Sequence, residues 1–256
     1  MALHLGVGAA NVLAVLIVLV EALGGWDLFG MTGRHVMAVL TGSQSAALAD
    51  TVLAALVSTM VTVSLAWWWG VRMVADTIES RISMGFWQAM PTLVCGLGAW
   101  VAVTRWTGPL MEISPWELPV SELMTWFFLL VVMVLSSLPG LTGTIADRAS
   151  TVPTSLVGSA HALGAGAGAV RREVVFPHVR PVLAAQLPVT LARSLGALGP
   201  AALLATPRTP LLPVEMITAA EAGRLSDACA MALVTGVLVA ACISLTIKTA
   251  AVVVDR

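Results

Sequence analysis

Arg193 is the residue of this chain whose position most needs a chemical explanation. It stands inside an apolar run from about Val182 to Ala205. About ten residues into a helix that rises 1.5 Å per residue, it would lie about 15 Å along the run, close to the middle of a bilayer core. A basic side chain at that depth costs about 2.5 to 3.5 kcal/mol on insertion scales, so such residues face a polar cavity or a partner. A guanidinium keeps its charge and offers paired donors that fit an oxyanion, which makes contact with a passing anion one reading. The other is a structural ion pair, for which Glu21, Asp50 and Glu122 are the acids available within the chain.

The second concentration of chemistry-bearing residues is Val152 to Pro181, a small-residue, basic segment between long apolar runs that carries His161, Arg171, Arg172, Glu173 and His178. Pro153 suits a first helical turn, with Ser150 or Thr151 able to cap it, so the pattern predicts a short helix from about Pro153 to Leu163, ended by Gly164. A second short helix is expected from about Ala167 to Phe176, stopping at Pro177. The run Gly164-Ala165-Gly166-Ala167-Gly168 has no preceding strand and reads as a flexible joint rather than a phosphate cradle. His161 and His178 read as surface or packing residues. No nucleotide-binding loop of the G-x-x-x-x-G-K-[ST] type occurs, so the chain would not bind ATP by that route. Nothing aligns Ser, His and Asp into a catalytic set. Cys95, Cys229 and Cys242 stand far apart, which argues against a disulfide framework or a short-spaced metal site.

The elements that must position these residues follow from composition. With 58% hydrophobic residues, 11% charged residues and a mean hydropathy of +0.94, the chain lies outside the range of soluble domains and reads as an integral membrane protein. The 256 residues fit one polytopic domain, 1–256, with no separate soluble unit. About six spans are expected, at Gly6 to Gly24, Asp50 to Met73, Gly85 to Thr104, Ser121 to Leu138, Val182 to Ala205 and Asp227 to Val253. The first lacks a basic leader and reads as an uncleaved span. A charged turn at Asp76 to Arg81 and a loop with Arg105, Glu112 and Glu117 separate spans, and the fourth span is expected to end at Pro139-Gly140. Trp67, Trp68 and Trp69 read as an interfacial aromatic belt. If both termini are cytoplasmic, that side holds Arg72, Arg81, Arg148, Arg171, Arg172, Arg180, Lys248 and Arg256, against Arg34, Arg105, Arg208 and Arg224 outside. The excess of basic residues favours this orientation and puts the central segment in the cytoplasm.

Within that segment, Ser159-Ala160-His161-Ala162-Leu163-Gly164 followed by Val174-Val175-Phe176-Pro177 resembles the cytoplasmic coupling motif of type I ABC importer permeases, EAAxxxG and then I-x-L-P, at the family's spacing and between the matching spans. Ala89-Met90-Pro91-Thr92-Leu93-Val94-Cys95-Gly96-Leu97-Gly98 is similar to a run found in the phosphate-specific members. Ala192-Arg193-Ser194-Leu195-Gly196 is similar to their A-R-A-L-G-E stretch, and Leu138-Pro139 and Val152-Pro153 fall where they carry L-P and V-P pairs. The likeness covers roughly Asp50 to Ala205. Two acids are missing: Gly158 stands where the coupling motif has Glu, and Ala197 where the fifth-span motif has Glu. The second change removes the counterion one turn from Arg193.

The resemblance implies an all-α permease subunit of a type I ABC importer, with a coupling segment at 152–181 between helices 4 and 5. It implies a path for inorganic phosphate formed with a second permease subunit, in the cell membrane, with both termini cytoplasmic. Arg193 would contact the anion. Ser159, Ala160, His161, Leu163, Gly164, Arg171, Arg172 and Pro177 would meet a cytoplasmic ATPase dimer that binds the ATP, this chain holding no cofactor or metal and no catalytic residue of its own. An extracytoplasmic anion-binding protein would deliver cargo to loops 25–48, 105–119 and 206–226. Nucleic acid is not an expected partner. The alternatives are another oxyanion such as molybdate or sulfate, or a non-transporting regulatory or scaffold subunit, the latter prompted by the two missing acids.

Overall fold

The computed structural model describes residues 15–22, 34–42, 44–71, 92–113, 120–197, 203–204 and 210–254. Among these, every regular element is helical. In chain order they are α1 (15–22), α2 (Arg34–Thr41), α3 (Ser45–Gly70), α4 (Thr92–Ile113), α5 (Val120–Ser150), α6 (Thr154–Ala162), α7 (Ala167–Val170), a π-helical turn (Arg171–Val175), α8 (Phe176–Leu195), α9 (Leu212–Glu221) and α10 (Leu225–Val254). Four stretches, Ser45–Gly70, Glu122–Ser150, Ala167–Leu195 and Leu225–Leu245, are long and apolar enough to cross a membrane, and Val94–Arg105 is a shorter apolar helix. Of the six expected spans, the first lies largely outside the described residues, as do the charged turn at Asp76 to Arg81 and the start of the third span at Gly85.

The bundle is organised on α3, which packs against both α5 and α8, while α8 also packs on α10, α4 on α5, and α2 and α9 on α10. The buried face of α3 consists of Ala47, Thr51, Ala54, Ala55, Ser58, Thr59, Thr62, Ala66 and Gly70. These form two rows at four-residue spacing, all small. Lipid tails are as apolar as leucine, so water expulsion does not drive such helices together; close backbone approach does, and small residues permit it. Gly70 shows how close the approach is: a Cβ there would stand 2.7 Å from Cγ2 of Ile145 on α5. Most hydroxyls on this face bond back to the helix, as Thr51 Oγ1 to the Ala47 carbonyl (2.7 Å) and Thr62 Oγ1 to the Ser58 carbonyl (2.7 Å), and so enter the core with their donors met; Thr59 is the exception.

The packed clusters define two ends and a middle. At the end where α3 finishes, Ala66, Val71, Leu141, Ile145, Ala149 and Val179 pack together, and α6 follows α5 out of the bundle there. At the opposite end, Ala22, Val39, Ala47, Leu212, Ala219 and Met231 form a cluster. His35 Nδ1 meets Asp227 Oδ1 at 2.6 Å at that end and ties α2 to α10. Between them, Ala55, Leu195 and Cys242 meet.

Several expected boundaries are corrected. Proline does not end the fourth span, because α5 continues through Pro139 to Ser150. Side-chain oxygens near the interruption bond to the helix, Ser136 Oγ to the Met133 carbonyl (2.8 Å) and Thr142 Oγ1 to the Leu138 carbonyl (2.6 Å), and neighbouring helices hold the segment in place. Pro177 does not stop the second short helix either. Its missing N–H removes the donor that the Glu173 carbonyl would meet, and the ladder widens to a π turn in which the Phe176 N–H donates to the Arg171 carbonyl. His178 Nδ1 lies 2.8 Å from the Val174 carbonyl. The helix then runs on through Pro181 and Pro188, so the fifth span starts before Val182. The second span begins at Ser45 rather than Asp50. The expected loops are partly helical: Arg105 and Glu112 lie on α4, residues 25–48 contain α2, and residues 206–226 contain α9.

Candidate functional site

Arg193 occupies the last turn of α8, which ends at Gly196. The depth of that end is fixed by its neighbours. Ser58, midway along α3, donates through its Oγ to the Ser194 Oγ at 3.3 Å, with both residues buried. Leu195 packs with Ala55 of α3 and Cys242 of α10. The helix therefore stops in the middle of the bundle, and Arg193 is at mid-depth because its helix is broken there rather than because it is halfway along one.

The helices that pack together here, α3, α5 and α8, carry buried hydroxyls. Thr59, Thr62, Thr190, Ser137 and Thr142 are buried hydroxyl residues of the same three helices. Thr59 Oγ1 is enclosed without a hydrogen-bond partner in the described structure. Arg193 itself is exposed on the isolated chain. Its Nη1 lies against Gly140 of α5, 3.6 Å from the point a Cβ would occupy. Among the described residues it makes no ion pair, so none of Glu21, Asp50 and Glu122 is its counterion. A positive charge in the last turn also complements the partial negative charge of a helix C-terminus.

On either side of Gly140, α5 carries Ser136 one turn before and Thr144 and the exposed Asp147 after it, in one row at three- and four-residue spacing. With Gly140 and Gly143 between them, this strip lacks large apolar side chains. It runs from the level of Arg193 to the end of the bundle that carries α6. Sequence reasoning picked out Arg193 but not this strip, because its residues are individually unremarkable and only the four-residue period collects them.

The residues expected to serve in coupling separate into two groups. Ser159, Ala160, His161, Leu163 and Gly164 lie together on α6 and its closing turn, and no residue of α6 is buried. Leu163 is 89% exposed, an apolar side chain presented to whatever covers this hairpin. The turn is a Schellman closure: the Gly164 N–H donates to the His161 carbonyl (2.9 Å) and the Ala165 N–H to the Ala160 carbonyl (3.0 Å). Gly164 has φ +84°, which a residue with a Cβ adopts only with strain. Nothing lies within 4 Å of a Cβ placed at Gly158, so the missing glutamate leaves open space. Arg171 and Arg172 are not on this helix. They sit on the π turn, where with Trp67, Trp68, Val71, Gly168, Glu173 and Phe176 they line a cavity of about 580 Å³. Pro177 is inside the first turn of α8. Ala197 follows the end of α8, in non-helical chain, one residue beyond Gly196. Among the described residues no cluster of His, Cys, Asp or Glu could hold a metal ion.

No family model matches the sequence, and no curated protein matches it. Among solved structures, a chain from the crystal structure of a bacterial ABC transporter involved in the import of the acidic polysaccharide alginate superposes with a TM-score of 0.67, over 96% of this chain and 95% of that one, at 11% identity. At that identity the likeness is one of fold, and it extends over nearly the whole of both chains.

Proposed function

We propose that this chain is a permease subunit of an ABC importer, and that Arg193 and the α5 strip form its half of an anion path. The observation that carries the reading is an arginine left on the outside of a single chain at mid-depth with no counterion among the described residues. Facing lipid, such a group costs about 2.5 to 3.5 kcal/mol. A second permease subunit covering this face removes that cost and leaves Arg193 on a polar seam between the two. A carboxylate one turn away would have compensated the charge within the chain; with Ala197 instead, the guanidinium is available to cargo.

The remaining parts take their places around that seam. The exposed α6 hairpin is of the right kind to dock in a cleft of a cytoplasmic ATPase, since it is a rigid, closed turn that shares no buried residue with the bundle. ATP-driven approach of two ATPase subunits would draw the docked hairpins together and rock the helices, exposing the mid-depth site to each side in turn. Arg148, Arg171, Arg172 and Arg180 gather at the α6 end, which supports a cytoplasmic position for that end. Phosphate is the cargo we favour, on the phosphate-permease-like stretches at 89–98 and 192–196. The solved neighbour belongs to a transporter of a different anion, an acidic polysaccharide, which agrees with the charge class and not with the identity of the cargo. An extracytoplasmic binding protein would supply the anion at the opposite end of the bundle.

The test is uptake of labelled phosphate by cells whose only copy of the chain carries Arg193→Ala. Losing a charge-assisted contact in the path is expected to cut uptake about ten- to a hundredfold while the complex still co-purifies. Uptake at the parental rate refutes the role.

A further inference from the structure

The cavity on the π turn has a composition that neither an ATPase surface nor a transport path explains. Its walls are aromatic: Trp67 packs edge-on against Phe176, with ring centroids 5.1 Å apart and planes at 80°, and Trp68 is 57% exposed beside them. Its lining includes two arginines, Arg171 and Arg172, both exposed, and its volume of about 580 Å³ is enough for a small organic group. The depth is equally specific. Val71 and Val175 join the cluster that closes the α6 end of the bundle, and the arginines stand at that end, directly after the buried Val170. That is the level at which tryptophans and headgroups meet.

We propose that this cavity binds the headgroup of an anionic phospholipid. Arg171 and Arg172 would hold the phosphodiester, Trp68 would border the glycerol, and the acyl chains would run along the exposed apolar faces of α3 and α8, where Trp69, Leu65 and Leu187 stand. Arg172 Nε is 3.7 Å from Glu173 Oε1, with both side chains largely exposed. Arg171 makes no ion pair among the described residues, so the site keeps a net positive charge. Both arginines belong to the π turn and line the cavity. This assignment moves both arginines from the coupling surface to the membrane surface. It requires only that the helices span a bilayer, and stands or falls separately from the transport reading.

The test uses the full-length chain in detergent and native mass spectrometry, with phosphatidylglycerol and phosphatidylcholine of the same acyl chains added together. Preferential retention of phosphatidylglycerol is expected. In Arg171→Gln/Arg172→Gln the preference should fall about thirtyfold, from the loss of two surface cations. Gly168→Trp fills the cavity without touching a charge, since a Cβ there meets nothing within 4 Å, and should abolish the preference as well; if it binds phosphatidylglycerol normally, the cavity is not the site. Glu173→Gln should raise retention several-fold by removing a like charge. Equal retention of the two lipids by the parent, or unchanged selectivity in the double glutamine variant, overturns the proposal. Displacement by inorganic phosphate at matched concentration would assign the cavity to the free anion instead. Loss of ATPase co-purification in the double variant with lipid selectivity intact would return the arginines to the coupling surface.

Discussion

The packed face of α3 and the hairpin around α6 are built on opposite terms. On α3, nine small residues are buried and a glycine is in contact distance of its neighbour's side chain; on α6, no residue is buried and an apolar leucine is almost fully exposed. The first region is fixed by what it touches within the chain, the second by the backbone hydrogen bonds of its own closing turn. A part whose position is fixed internally can hold an anion site at a set depth. One that shares little with the bundle can be gripped and moved by a partner. The difference predicts that substitutions in the packed bundle are felt as stability or transport, and substitutions in the hairpin as coupling.

Glycines test this contrast, because the same change is made against different surroundings. The largest effect is expected from Gly70→Leu. With Ile145 at 2.7 Å from the Cβ position, α3 and α5 must separate, and overpacking of this kind costs about 1 to 3 kcal/mol or more. A sharply lowered melting temperature of the purified chain would bear this out, and an unchanged one would show that the two helices slide freely. Next is Gly140→Leu, which displaces the Arg193 guanidinium from the α5 surface. Labelled anion uptake should drop about tenfold while the melting temperature stays near the parent's. If stability collapses and uptake per folded molecule does not, Gly140 belongs to packing alone.

In the hairpin, Gly164→Ala forces a Cβ into φ +84° and costs about 1 kcal/mol. The α6 turn should loosen and ATPase co-purification weaken several-fold, with the bundle's melting temperature unaffected. The smallest effect belongs to Gly158→Glu. The site is open, so stability should stay within about 0.5 kcal/mol of the parent. The informative readout is transport-coupled ATP hydrolysis in the assembled complex. Little change there means that the subunit works without the glutamate, whereas a gain of transport from none would favour the scaffold alternative.

The sequence predicted the elements whose signals are local. The helix ending at Gly164 was legible because a glycine after a short helical run is a sufficient stop signal; the expected cap at its start does not form, since Pro153 is the N-cap residue and the Ser150 and Thr151 hydroxyls donate back to the Asp147 and Arg148 carbonyls. The long apolar runs marked the spans. Prolines misled, since Pro139, Pro177, Pro181 and Pro188 all lie in continuous helical segments. A proline's missing donor is an interruption only when nothing else holds the segment; here hydroxyl back-bonds, a π turn and packing on neighbouring helices do so. The depth of Arg193 was expected from its place in an apolar run, but the helix break at Gly196 that sets it is a tertiary feature. Its exposure could not be read at all, because only the packing of α3, α5 and α8 decides which side of the last turn remains open. Arg171 and Arg172 were expected on a second short helix apart from α6, as they are; what no linear motif expresses is the π turn ahead of Pro177 on which they sit.

The central claim, that Arg193 faces a watery seam and not lipid, is tested most directly by thiol accessibility. In the assembled complex with Cys95, Cys229 and Cys242 replaced by alanine, Arg193→Cys should react with a membrane-impermeant charged thiol reagent. Reaction is expected to change as ATP hydrolysis is switched on. A cysteine that reacts only with a lipid-soluble maleimide, with and without ATP, would place Arg193 against the bilayer and contradict the account.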